Sequence, residues 1–118
     1  MSPDMYKIFH ILGLLMVFAA VGGVTLDVAS GGDGSRGRRL AGIAHGIGLV
    51  LMLVSGFGML AKLGLALGGW VWVKVALWMV IAGWSVVVRK TPKLATLWWW
   101  LLPFLGAFAG YLAIYKPF

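Results

Sequence analysis

Apolar runs near 20 residues long, parted by short breaks rich in glycine, proline or basic residues, recur four times along this chain and fill almost all of it. A hydrocarbon core of about 30 Å takes roughly 20 helical residues at 1.5 Å each, so every run predicts a membrane-spanning helix. The spans are read as residues 5–24, 40–63, 69–89 and 94–116, forming one transmembrane domain over residues 1–118. The segment from Thr25 to Arg39, dense in Gly, Ser and charge, predicts a mobile loop; Gly64, Gly68 and Gly69 mark the second connector, Pro92 and Lys93 the third. The expected fold class is all-α: an integral membrane four-helix bundle running up-down-up-down, with both termini on one side.

Composition strengthens this reading. Only 11% of residues are charged and 62% are hydrophobic, whereas soluble domains carry about 25% charged residues, so a water-facing surface cannot be built. No soluble catalytic module fits between the spans. Lys7 ahead of an apolar run ending in small residues has the pattern of a signal peptide, but the segment is read as a retained first span. With no cysteine, disulfides, thiolate metal sites and iron–sulfur clusters are excluded.

The net charge of +7 sits at span ends, which points to phospholipid headgroups and not to nucleic acid. Arg36, Arg38, Arg39, Arg89, Lys90 and Lys93 fall on one side, against Lys7, Lys62, Lys74 and Lys116 on the other. The first side is therefore expected to be cytoplasmic and both termini non-cytoplasmic, in a multi-pass cell-membrane protein. Tyr6, Trp70, Trp72, Tyr111, Tyr115 and Phe118 would anchor the outer interface and Trp98, Trp99 and Trp100 the inner one. Small residues four apart (Gly42 with Gly46, Gly64 with Gly68, Gly106 with Gly110) predict close helix contacts, within the chain or in a homo-oligomer or membrane complex.

Ionisable residues inside a bilayer are costly unless neutral, paired or snorkelling, so the few present are candidates for function. His10 and Lys74 each lie about five residues into a span from the same side, hence at one depth. Lys74 offers charge to an anion, and His10 a lone pair for a metal or a proton. The plainer alternatives are a Lys74 that snorkels and a His10 that hydrogen-bonds a neighbouring helix. His45 enters from the opposite side, about 15 Å from the level of His10 in a 30 Å core, which disfavours a bis-histidine haem. Its expected role is helix packing or a proton route, with Asp27 as a possible neighbour. Gly13, Val17 and Ala20 share the His10 stripe, leaving a shallow face for a flat ligand, and Trp78 shares the Lys74 stripe. Aromatic residues contact extended π systems well, although such stripes are more often plain packing.

Glutamate is absent and the three aspartates lie at ends or in loops, so paired-carboxylate catalysis, a di-iron centre and a carboxylate-based proton pump lack their parts. No phosphate-cradling glycine loop is present either.

Three segments, Tyr6-Lys-Ile-Phe-His-Ile-Leu-Gly13, Gly69-Trp-Val-Trp-Val-Lys-Val-Ala-Leu77 and Lys116-Pro-Phe118, together about a quarter of the chain, resemble the HemJ-type protoporphyrinogen oxidases and related four-span membrane proteins. The resemblance implies b-type haem or a related tetrapyrrole and an oxidoreductase acting late in haem synthesis or in electron transfer. It places His10 as metal ligand or base and Lys74 as partner of a propionate; with Trp78 these make the expected cofactor-binding set, and His10 and Lys74 the catalytic pair. The alternative is a non-enzymatic subunit that packs against proteins, lipids or pigments, and a third reading is a small-solute permease, which would need an oligomer.

Overall fold

A computed structural model describes residues 2–116. Pro117 and Phe118, and with them the end of the Lys116-Pro-Phe118 segment and the Phe118 anchor, lie outside the described residues. Every regular element is helical: α1 (Pro3–Ala29), α2 (Arg38–Leu63), α3 (Gly69–Ala82), α4 (Trp84–Lys90), a 3-10 turn (Pro92–Leu94) and α5 (Ala95–Tyr115). Three segments are long and apolar enough to cross a membrane: α1, α2 and the 3-10 turn with α5. A fourth candidate span is formed if α3 and α4, bent by 46° across their break, count as one.

The helix ends follow from local chemistry. Ser2 caps α1 by accepting the Met5 N–H at 3.3 Å, Pro3 supplies a pre-set φ and Asp4 favours the positive end of the helix dipole. At the end of α2, Gly64 adopts φ 64°; its N–H bonds Ala61 O and the Leu65 N–H bonds Leu60 O at 3.0 Å, a Schellman closure that leucine or alanine would strain. Two boundaries differ from the expectation. The helix of the first span continues to Ala29, because Thr25 Oγ1 returns its proton to Val21 O at 2.6 Å and so needs no partner outside the helix. The third span breaks at Gly83, the one glycine within its apolar run.

The shortened connector after α1 is tied down at several points. Asp27 accepts the Gly34 N–H at 2.9 Å and faces Arg36 at 3.9 Å, while Arg89 of α4 donates to Gly34 O at 3.3 Å. The Ser35 hydroxyl and N–H stabilise the Asp33 carboxylate and hold it below the ordinary carboxylate range. The Arg89 bond also puts the α1–α2 connector and the end of α4 at the same end of the molecule.

α1 is the central helix. It packs along α2 on one side and against α4 and α5 on another; α3 leans on α5 and touches α2 only lightly. The body is flat, 47 × 26 × 15 Å. Its core gathers Val17, Val21 and Val28 of α1 with Ile81, Trp84, Val88, Ala95 and Leu102, and so occupies the half nearest the α1–α2 connector. Trp84 and Trp98 meet edge to face there, 5.6 Å apart.

The closest helix contact is at Gly13 and Gly48. A Cβ on either would stand 2.7 Å from the other's carbonyl oxygen, so the two backbones touch. Of the glycine pairs expected to make contacts within the chain or between subunits, Gly42, Gly46, Gly64 and Gly110 face open space within this chain, and Gly106 is covered by the Phe18 ring. Of the stripe expected to leave room for a flat ligand, Gly13 and Val17 are instead buried against α2 at Gly48. The stripe's small side chains admit a helix.

Candidate functional site

The half of α1 ahead of Gly13 carries no buried residue among those described, in contrast to the half beyond it. His10 sits in this open half, with its ring over Gly56 of α2, where a Cβ would lie 3.4 Å from its Cε1. Its Nδ1 lies 3.0 Å from Met52 O and 3.1 Å from Ser55 Oγ. A carbonyl only accepts, so Nδ1 donates and carries the proton. Ser55 donates its own hydroxyl proton to Leu51 O, which leaves its oxygen free to accept from the imidazole.

The consequence is chemical. With the proton on Nδ1, the lone pair of a neutral His10 resides on Nε2, the arrangement in which one ring nitrogen is oriented by a carbonyl while the other binds a metal or takes a proton. Nε2 makes no hydrogen bond among the described residues, and it is not among the sealed polar atoms. It is reachable from outside the protein. Lys74, on α3, lies within electrostatic range of the imidazole but makes no hydrogen bond with it among the described residues.

Lys74 has no acidic partner among the described residues, where the single ion pair is Arg36 with Asp27. A second cation, Lys116, is near enough to act on it electrostatically. The Lys116 ammonium stands 5.4 Å from the Trp70 ring centroid and donates to Ala113 O at 2.7 Å. Neither Lys74 nor Lys116 has an ion pair among the described residues. No cluster of three or more His, Cys, Asp or Glu forms among the described residues.

Trp78, expected beside the ligand, donates its Nε1 proton to Leu49 O at 3.0 Å and so ties α3 to α2. His45 stands apart from His10 and beside the Ile81 carbonyl, with Nε2 sealed in the protein and unpartnered. Asp27, named as its possible neighbour, is engaged instead with Gly34 and Arg36. Ser55 is the site residue that sequence reasoning missed. The available signal was a lone hydroxyl within an apolar span, in the same half as His10 when counted inward from Leu63.

Comparison with protein-family models, with characterised proteins and with solved structures finds no match to this chain.

Proposed function

We propose that this is a multi-pass membrane protein that takes a carboxylate-bearing tetrapyrrole, b-type haem or a close relative, at the His10–Lys74 site. The observation that carries the reading is the division of labour within one imidazole: Nδ1 is held by Met52 O and Nε2 is left without a hydrogen bond, with an unpaired Lys74 in electrostatic range. His10 Nε2 would ligate the iron or accept a proton, and Lys74 would pair with a propionate. Trp78 would contribute through its ring faces, since its N–H is already used. Bound haem would supply one-electron chemistry. The chain's own residues would position the carboxylate, hold the ring nitrogen and keep the site within the membrane. Oxidation of protoporphyrinogen, with electrons passed onward, is the activity that the HemJ resemblance attaches to such a site.

The topology that accompanies this reading is four spans, with α3 and α4 as one bent span, both termini non-cytoplasmic and the α1–α2 connector cytoplasmic. It is supported by the six basic residues gathered at the connector end, where Arg89 meets Gly34.

The test is an absorption spectrum of the detergent-purified protein after expression with added haem, oxidised and then dithionite-reduced, with a pyridine haemochrome assay for stoichiometry. A Soret band with sharp reduced α and β bands near one haem per chain is expected. The His10→Ala variant should lose it and His45→Ala should keep most of it. A colourless protein, or equal loss in both variants, would leave the second reading, a non-enzymatic packing subunit. That alternative draws on the His10 and Trp78 ties to α2 and on the open Gly42 and Gly46.

A further inference from the structure

A groove of about 590 Å³ runs between α1 and α2 at the end opposite His10. Its size falls in the range of about 300–1,000 Å³ typical of small-molecule clefts. The groove exists because the facing side chains are small: Ala19, Ala20 and Gly23 on α1 stand opposite Ala41 and Ala44 on α2. Past the Gly13–Gly48 contact, neither helix fills the space. A second hollow adjoins it through Gly37 and Leu40 and is lined by Arg38 and Arg39. Arg36 stands at the mouth of the first.

Charge decides what can sit there. Asp27, also at the mouth, is offset by Arg36 and by the Gly34 N–H. Arg38 and Arg39 are exposed and have no ion pair among the described residues. An apolar channel that opens beside uncompensated guanidinium groups matches a molecule with a hydrocarbon tail and an anionic head. From this complementarity we infer that the α1–α2 groove is a binding site for an anionic phospholipid, with one acyl chain in the alanine-lined channel and the phosphate against Arg38 and Arg39. Guanidinium forks match phosphate oxygens in pairs, and a headgroup with no cation of its own leaves the phosphate charge unopposed, so an anionic lipid is favoured over a zwitterionic one. The inference rests on the membrane reading but not on the tetrapyrrole site, which lies at the other end of α1.

Native mass spectrometry of the full chain, released from detergent with equal amounts of phosphatidylglycerol and phosphatidylcholine, tests it. Phosphatidylglycerol should be retained at least about tenfold over phosphatidylcholine, since each arginine near a headgroup is worth roughly a factor of five. The double variant Arg38→Gln, Arg39→Gln, which alters exposed and unpaired side chains only, should lose the preference. Ala44→Phe and, separately, Ala41→Leu should also lose retention, because they fill the channel and leave every charge in place. Free inorganic phosphate should not compete at millimolar concentration. Equal retention of the two lipids would overturn the site. So would filled-channel variants that melt as the parent does and still keep phosphatidylglycerol, because only headgroup attraction would then remain.

Discussion

At the scale of single residues, the two histidines carry opposite expectations that follow from their hydrogen bonds. His10 joins α1 to α2 through Met52 O, so His10→Ala should lower the stability of the purified protein by about 1 kcal/mol, the usual worth of one such bond, in addition to removing ligand. His45 keeps a buried Nε2 without a partner, so His45→Leu should leave thermal stability unchanged or raise it. Circular dichroism melts in one detergent compare them. A His45→Leu melt well below that of His10→Ala would contradict the assigned roles. The candidacy of His10 and Lys74, as ionisable residues inside apolar runs, was legible in the sequence. The Met52 and Ser55 partners were not, because the register of α1 against α2 depends on where two separate glycines meet.

Helix contacts raise the same point at the scale of elements. Spacing rules identify small residues that allow close approach, but Gly42 and Gly46 share a face that points away from the neighbouring helix, whereas Gly13 and Gly48, one on each helix, make the contact. Gly48→Val would drive a methyl group into Val17 and the Gly13 carbonyl, and an overpacking cost of about 1–3 kcal/mol is expected. Gly46→Val enters open space and should change stability by less than about 0.5 kcal/mol. Paired thermal melts check this contrast, and equal effects would show that the helices pack in another register. That the chain forms helices long and apolar enough to cross a membrane was plain from hydropathy alone. The break at Gly83 was hidden, since a single glycine within an apolar run is also tolerated in continuous helices and only the packing of Trp84 beside it against Trp98 distinguishes this one.

Considered whole, the molecule is a thin body with its core at the connector end and its candidate site in the looser half. The charge bias predicts which end faces the cytoplasm. The absence of cysteine makes the prediction simple to check: Ser2→Cys should react with a membrane-impermeant maleimide in intact cells, and Ser35→Cys only after lysis. The reverse pattern would invert the topology. The central claim, that His10 and Lys74 together receive a carboxylate-bearing tetrapyrrole, is tested most directly by titrating the purified protein with zinc protoporphyrin and with its dimethyl ester. A charge-assisted bond worth about 1.5–3 kcal/mol predicts a free acid that binds roughly ten- to a hundredfold more tightly than the ester, and a Lys74→Gln variant in which that difference disappears. Equal affinity for acid and ester in the parent protein, or a difference that survives Lys74→Gln, would contradict the account.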